Sequence, residues 1–222
     1  MGFKSKFDAV FFDLDGTLID TAPDMANALN TLLKTEGHQP IAFERLRPLV
    51  SHGARGLLGE GFNIASEHPD YSRLRQSFLD IYEENLFVDT RLFEHIEKLL
   101  DQLETANVKW GIVTNKPGYL TTQLLDSLEL SQRSATTISG DTLDKAKPHP
   151  EPLWEACKRV DVLPENCLYV GDAERDIIAG KAAGMKTATA MFGYIPADEN
   201  PTSWNANWNL QSAQELLSII FE

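Results

Sequence analysis

Short apolar runs alternate with amphipathic helical stretches along most of this chain. Each run has the length of a buried strand, about four to eight residues, and ends at Asp, Asn or Gly. The stretches between them repeat apolar residues with the 3.6-residue period of a helix. This alternation predicts an α/β fold, a doubly wound, Rossmann-like parallel sheet covered on both faces. The predicted strands are 7–12, 109–114, 134–139, 167–171 and 187–192, and the helices are 93–107, 120–128, 152–160 and 213–221.

One long interval lacks the strand pattern. Between residues 19 and 88 the sequence predicts helices, one beginning after Thr21 as its N-cap and another over 71–85. An insertion of this kind is typical of a separate cap over a sheet. We therefore expect a small helical cap domain at 19–88, inserted after the first strand, and a core domain made of residues 1–18 and 89–222. Ser212 and Glu215 form a capping-box pattern before the last helix.

Composition excludes several classes of protein. The 222 residues contain 20 Lys and Arg against 33 Asp and Glu, a net charge of −13, which argues against a nucleic-acid partner. No apolar run approaches the roughly 20 residues of a membrane span, and the N-terminal apolar stretch is too short for a signal peptide. Cys157 and Cys167 are too few for a disulfide framework. We expect a cytoplasmic protein with buried thiols and no membrane partner, either a monomer or a homodimer.

Polar side chains collect where the predicted strands end. In a doubly wound parallel sheet, ligands bind at the carboxyl ends of the strands. Four carboxylates in one crevice would repel each other unless a cation lay among them, and carboxylate oxygens are ligands that suit Mg²⁺. The sequence therefore predicts a Mg²⁺ cofactor. The residues concerned are Asp13, Asp15, Thr114, Asn115, Asp172 and Asp176, with Lys147 ahead of the helix that leads into the fourth strand.

Four segments resemble, in order, the motifs of the haloacid-dehalogenase superfamily. They are 11–18 (FFDLDGTL), 113–115 (VTN), 147–148 (KP) and 170–176 (VGDAERD). The resemblance covers essentially the whole chain, and the 19–88 insertion lies where the first-type cap of that superfamily lies. Within it the chain resembles the phosphoglycolate-phosphatase-like group. Residues 50–55 and 192–201 are more similar to the branch that dephosphorylates N-acetylmuramic acid 6-phosphate.

The resemblance implies a Mg²⁺-dependent phosphatase that acts on a small phosphorylated metabolite. Asp13 is the expected nucleophile, because a carboxylate that attacks phosphorus forms an aspartyl-phosphate and divides the hydrolysis into two steps. Asp15 would protonate the leaving alcohol and then deprotonate the attacking water. Thr17 is expected to brace Asp15.

The remaining motif residues have expected roles around the phosphate and the metal. Asp13 and Asp172 would bind Mg²⁺, with the main-chain oxygen of Asp15 as a third ligand by family analogy, and Asp176 would orient these ligands. Thr114 and Lys147 would bind the transferring phosphoryl group. Asn115 either contacts phosphate or is a loop-capping amide.

Other charged residues leave more than one interpretation open. Arg175 is more typical of a surface or helix-bracing charge than of a ligand. In the predicted cap, His52 and Arg55 are candidates for substrate specificity, with a purely structural role as the alternative. An arginine suits a substrate carboxylate, because the guanidinium group can donate two parallel hydrogen bonds.

Two other activities remain as alternatives. A phosphosugar mutase of the same superfamily would use the same aspartyl-phosphate and pass the phosphoryl group to another hydroxyl. A phospho-acceptor signalling receiver also places Asp, Thr and Lys on a doubly wound sheet, but it lacks an insertion of about 70 residues. A dehalogenase is disfavoured, since its chemistry needs neither Mg²⁺ nor a general acid at Asp15.

Overall fold

The computed structural model describes residues 5–221, so the predicted core boundaries at residues 1 and 222 lie outside the described part. Six strands form one parallel sheet in the order β5-β4-β1-β6-β7-β8, and β2 and β3 form a separate antiparallel pair. In chain order the strands are β1 (Ala9–Phe12), β2 (Ile19–Asp20), β3 (Arg91–Leu92), β4 (Lys109–Val113), β5 (Thr137–Ile138), β6 (Cys167–Gly171), β7 (Lys186–Ala190) and β8 (Trp208–Leu210).

Helices surround the sheet and fill the interval between β2 and β3. In chain order they are α1 (Ala22–Thr35), α2 (Phe43–Leu46), α3 (Gly53–Phe62), α4 (Tyr71–Glu84), α5 (Ile96–Thr105), α6 (Gly118–Ser127), α7 (Glu151–Val160), α8 (Glu174–Ala183) and α9 (Glu215–Ile220). Short 3-10 helices occupy Arg47–His52, Pro164–Asn166 and Pro201–Trp204. Of the helices in the described chain, none has the length and apolar character needed to cross a membrane.

Strand β1 lies at the centre of the sheet and confirms the predicted fold class. Its side chains alternate between two buried clusters, with Val10 and Phe12 in one and Ala9 and Phe11 in the other. Both faces of the sheet are therefore covered, as the apolar runs predict. Strand order reverses at β1, because β4 and β5 lie on one side and β6, β7 and β8 on the other. Ligands of doubly wound sheets bind at such a reversal.

The helices between β2 and β3 begin and end close together. Asp24, buried at the start of α1, accepts hydrogen bonds from the main-chain N–H groups of Val88, Asp89 and Thr90 at 2.9–3.1 Å, and from the Thr90 hydroxyl at 2.7 Å. Strand pairing of β2 with β3 joins the same two connections. These contacts fix the two points at which the chain leaves and re-enters the core. The division into domains at 18/19 and 88/89 stays a prediction.

Several predicted element boundaries are wrong. The interval 19–88 contains the two-residue strand β2, which is too short to show a hydrophobic period, and β8 was not predicted. The predicted strand 134–139 is reduced to β5. Helix α5 begins at Ile96 rather than at residue 93, because His95 has a left-handed backbone with φ of 69°.

Two predicted helix caps also differ from the structure. Thr21 is the N-cap residue of α1, as predicted, but its hydroxyl makes no capping hydrogen bond and donates to Asp15 instead. Helix α9 begins at Glu215 rather than at residue 213. The Ser212 hydroxyl accepts from the N–H of Gln214, and the Glu215 carboxylate accepts from the N–H of Gln211, so both side chains serve the turn before the helix.

Candidate active site

A cavity of about 520 Å³ opens beside the carboxyl ends of β1 and β4. Most of the residues predicted from the sequence line it, and the cap helices supply the opposite wall. Asp172 and Asp176 do not line the cavity but lie buried against residues that do. The predicted residues in its lining are Asp13, Asp15, His52, Arg55, Thr114, Asn115 and Lys147.

Asp13 directly follows β1 and is almost fully buried. Its Oδ1 accepts from the N–H of Leu14 at 2.8 Å and lies 2.9 Å from Nζ of Lys147, while Oδ2 lies 3.7 Å from the Arg175 guanidinium. Burial acts to raise the pKa of Asp13, but the charges of Lys147 and Arg175 and these hydrogen bonds hold that pKa below its ordinary value of 3.8. Asp13 is therefore ionised and can act as a nucleophile.

Lys147 carries a fully buried ammonium group. Besides Asp13, its Nζ donates to Oδ1 of Asp176 at 2.7 Å and to the Tyr169 hydroxyl at 2.7 Å. Asn115 fixes the main chain of Lys147, because its amide accepts from the N–H at 3.0 Å and donates to the carbonyl at 2.9 Å. Asn115 therefore holds the Lys147 loop and leaves the lysine side chain aimed at Asp13, while a contact of Asn115 with phosphate stays a prediction.

Asp172 follows β6 and accepts hydrogen bonds from the predicted cap and from the predicted core. The Ser51 hydroxyl lies 3.0 and 2.9 Å from its two carboxylate oxygens, and the N–H of Tyr194 donates to Oδ2 at 2.8 Å. The Asp172 carboxylate also lies close to the main chain at Gly16. Only glycine leaves room for it there, since a Cβ built on Gly16 would lie 2.0 Å from Oδ2 of Asp172. Burial, followed by the charges of Asp13 and Asp176, raises the pKa of Asp172 to about 7.

Three buried carboxylates form a site that fits a hard divalent cation. Asp13, Asp172 and Asp176 each offer an oxygen, and these oxygens lie within 4.8 Å of one another. Lys147 forms ion pairs with both Asp13 and Asp176, and Arg175 with Asp13, but within residues 5–221 no Lys, Arg or His forms an ion pair with Asp172. An excess negative charge on an all-oxygen ligand set is the environment that Mg²⁺ prefers. The residues present therefore fit the predicted cofactor.

Asp15 lies apart from this cluster. Its Oδ1 accepts from the Thr21 hydroxyl at 2.6 Å and lies 3.1 Å from Nζ of Lys116. The prediction that Thr17 braces Asp15 is therefore wrong. Thr17 is buried, and its hydroxyl has no hydrogen-bond partner among the residues that the structure describes. Thr21 performs that function, because it leads into α1 and its side chain turns back towards Asp15.

The cap side of the cavity is rich in positive charge. His52, Arg55 and Arg75 line it, and neither arginine makes a hydrogen bond or ion pair with any described residue. His52 lies 3.7 Å from the Glu199 carboxylate, while burial and then the charges of Arg175 and Arg55 lower the pKa of His52. Two unpaired guanidinium groups facing a cavity are available to an anionic ligand.

Sequence reasoning missed several residues of the site besides Thr21. Lys116, Arg175, Ser51 and Arg75 all line the cavity. Lys116 lies two positions after Thr114, a spacing that places side chains on one side of an extended chain and could have indicated it. The interpretation of Arg175 as a surface charge is wrong, because its guanidinium lies beside Asp13. Ser51 lies in the 50–55 segment that carries the family resemblance, which could have indicated it, whereas no sequence signal distinguishes Arg75 from other polar residues of the predicted cap.

The chain is similar to known proteins over most of its length. The family model described as "Haloacid dehalogenase-like hydrolase" matches residues 10–190. A phosphoglycolate phosphatase from Xanthomonas campestris is 44% identical over 211 residues, which cover 94% of each chain. An N-acetylmuramic acid 6-phosphate phosphatase from Pseudomonas aeruginosa is 37% identical over 217 residues, or 98% of this chain and 96% of that one.

A solved structure has a similar fold over nearly the whole chain. The crystal structure of a predicted phosphoglycolate phosphatase from Haemophilus somnus has a TM-score of 0.86 with 26% identity, covering 97% of this chain and 98% of that one. The relatives support the expected enzyme class, a phosphoric monoester hydrolase. The family match and the curated relatives both cover most of the chain, which therefore belongs to the haloacid dehalogenase-like hydrolase family.

Proposed function

We propose that this protein is a Mg²⁺-dependent phosphatase that hydrolyses a small phosphomonoester through an aspartyl-phosphate on Asp13. The observation that carries the proposal is the placement of Asp13, an ionised, buried carboxylate that faces the cavity and is bound by Lys147. A carboxylate held ready to attack, with positive charge beside it for the oxygens of the phosphoryl group, has the composition of a phosphoryl-transfer site.

The reaction divides into two balanced steps. In the first, an Asp13 oxygen bonds to phosphorus while the bond from phosphorus to the alcohol oxygen breaks, and Asp15 gives that oxygen its proton. In the second, a water oxygen bonds to phosphorus, the Asp13–phosphate bond breaks, and Asp15 takes the proton of the water. Thr114 and Lys147 donate to the phosphoryl oxygens. Mg²⁺ held by Asp13, Asp172 and the main-chain oxygen of Asp15 would neutralise charge on the phosphoryl group.

Charge in the cavity supports a substrate with a second anionic group. Five cationic side chains line it against the carboxylates of Asp13 and Asp15, and among the residues that the structure describes, Arg55 and Arg75 have no hydrogen-bond or ion-pair partner. We therefore assign Arg55, with His52 beside it, to recognition of a substrate carboxylate. The predicted cap domain, 19–88, would supply this recognition and shield the reaction from bulk water.

The size of the cavity favours the larger of two candidate substrates. Both 2-phosphoglycolate and N-acetylmuramic acid 6-phosphate carry a carboxylate. The cavity has a volume of about 520 Å³, which is typical of binding sites for ligands much larger than a two-carbon acid. We propose N-acetylmuramic acid 6-phosphate, or a sugar acid phosphate of that size, as the first candidate. The 44% identity to a phosphoglycolate phosphatase keeps 2-phosphoglycolate as the second.

A phosphate-release screen over phosphorylated metabolites, with both candidates included, tests the proposal. Chelation should abolish release, and added Mg²⁺ should restore it. Asp13→Asn should fold normally and lose activity by a factor of at least about 10⁴, since the substitution removes the nucleophile. Wild-type rates in that variant, or full activity in chelator, would contradict the mechanism. An isomerised phosphate ester without release of inorganic phosphate would indicate a mutase instead.

A further inference from the structure

The proposed mechanism does not use the buried ion pair between Lys116 and Asp15. The Lys116 side chain is only 5% exposed, and its Nζ lies 3.1 and 3.4 Å from the two oxygens of Asp15. In the part of the chain that the structure describes, this ammonium group makes no contact with Asp13. Its charge therefore acts on Asp15 and not on the nucleophile.

A residue of helix α4 fixes Lys116 from the other side. The hydroxyl of Tyr82 accepts from Nζ at 3.0 Å, and Nζ lies 4.6 Å from the centroid of the Tyr82 ring. Tyr82 is fully buried in the hydrophobic cluster that includes Phe78, on which its ring stacks. A lysine side chain has several rotatable bonds, so a buried partner that holds its tip reduces the number of places the ammonium group can occupy.

We infer that Lys116 is a positioning residue for Asp15, with Tyr82 fixing Lys116 from helix α4. The inference rests on the proposed function, because it assigns Lys116 to the residue that exchanges protons there. Thr21 and Lys116 together hold the Asp15 carboxylate in one orientation, through contacts to both of its oxygens. Tyr82 belongs to the predicted cap, so the orientation of Asp15 depends on helix α4 being packed in place.

Orientation matters for Asp15 because one carboxyl group serves two oxygens in turn. It must reach the alcohol oxygen as the phosphorus–oxygen bond breaks, and afterwards the water that attacks Asp13-bound phosphate. A proton donor or acceptor contributes only when it is within hydrogen-bond distance of the reacting oxygen, and displacement by about 1 Å can cost on the order of 10²-fold. Without Lys116 the Asp15 carboxylate would keep, among the described residues, only its hydrogen bond with Thr21 and could rotate away.

A comparison of substrates with different leaving groups distinguishes positioning of Asp15 from any other role of Lys116. An alkoxide needs a proton as it leaves, whereas p-nitrophenolate leaves without one. Loss of a correctly placed Asp15 therefore slows the first step on an alkyl ester far more than on p-nitrophenyl phosphate. A defect in folding, in phosphate binding or in Mg²⁺ binding slows both substrates together.

The experiment compares Lys116→Met and Lys116→Arg with wild type under single-turnover conditions with Mg²⁺. The substrates are p-nitrophenyl phosphate and whichever of N-acetylmuramic acid 6-phosphate and 2-phosphoglycolate wild type hydrolyses faster. Rapid quenching follows release of the alcohol or nitrophenol in the first step. Asp15→Asn provides the benchmark for full loss of the proton donor. Lys158→Met, at an exposed lysine of α7, is the matched control.

We expect Lys116→Met to slow the first step about 10- to 100-fold on the alkyl ester and less than about threefold on p-nitrophenyl phosphate. Lys116→Arg should recover much of the loss, because it keeps a cation beside Asp15. Equal losses on both substrates would overturn the inference. If Asp15→Asn itself shows no dependence on the leaving group, the proposed function fails instead, so the two failures are distinguishable.

A second variant covers the case in which Lys116→Met does not fold, as circular dichroism would show. Tyr82→Phe keeps the ring and both charges and removes only the hydroxyl that holds Nζ. It should produce the same selective loss on the alkyl ester at a smaller size, about three- to tenfold. A Tyr82→Phe enzyme with wild-type rates on both substrates would overturn the assignment of Tyr82 and, if Lys116→Met is unfolded, the inference as a whole.

Discussion

Replacement of Asp172 by Asn should make the metal-free protein more stable at neutral pH while it abolishes activity. The substitution keeps the shape of the side chain. The amide oxygen can still accept from the N–H of Tyr194, and the amide nitrogen can donate to the Ser51 hydroxyl, which can accept as readily as it donates. What the substitution removes is a buried negative charge next to Asp13 and Asp176.

The size of this effect follows from the pKa of Asp172. The ordinary value of 3.8 describes the unfolded chain, and burial together with the two neighbouring carboxylates raises the folded value to about 7. Between these two pH values the folded state binds more protons than the unfolded state, so the stability of wild type falls as pH rises and then levels off above pH 7. The difference corresponds to about 4 kcal/mol of destabilisation at pH 8.

Urea unfolding in the presence of chelator measures the prediction. At pH 8 the free energy of unfolding of Asp172→Asn should exceed that of wild type by up to about 4 kcal/mol, and near pH 4 the two should differ little. Mg²⁺ should stabilise wild type and leave the variant unchanged. Asp144→Asn, at an exposed aspartate, serves as the matched control. A variant that is less stable than wild type at both pH values would refute the reasoning.

Two further substitutions test the cations of the site. Lys147→Met leaves Asp13 and Asp176 buried without their shared partner. It should lower the rate of phosphate release about 10²- to 10³-fold and the free energy of unfolding by about 3–5 kcal/mol. A stable variant with wild-type kcat would contradict this role. Arg55→Ala should reduce the preference for carboxylated over uncarboxylated phosphomonoesters about tenfold in kcat/KM, and unchanged relative rates would remove Arg55 from substrate recognition.

The sequence predicts the part of the site that the sheet alone positions. Asp13, Thr114 and Asp172 each follow a strand, and parallel strands end at one edge, so hydrophobic patterning places these residues together without knowledge of side-chain contacts. The same patterning predicts β6 correctly, because all five of its residues are buried. Strands β2 and β5 have two residues each, too few for any period to appear.

The contacts that the sequence does not predict join residues far apart in the chain. Ser51 and Asp172 are separated by 121 positions, and Lys116 and Asp15 by 101. Whether a polar side chain serves its own helix or a distant partner depends on packing that local pattern does not contain. Thr21 illustrates the choice, since its position predicts a helix cap while its hydroxyl donates to Asp15.

The carboxylates of the site differ in which part of the chain supplies their hydrogen-bond and ion-pair partners. Asp13 and Asp176 take their described contacts from segments of the predicted core, chiefly from Lys147. Asp172 is bound by Ser51, and Asp15 is held through Lys116 by Tyr82, so these two depend on the helices between β2 and β3. Residues of the predicted core therefore hold Asp13, the proposed nucleophile, whereas residues between β2 and β3 complete the contacts of Asp15, the proposed proton donor, and of Asp172, a proposed cation ligand. Under the proposed function this arrangement would link enclosure of the substrate to the placement of Asp15, because helix α4 lines the cavity and also contacts Lys116, which holds that carboxylate.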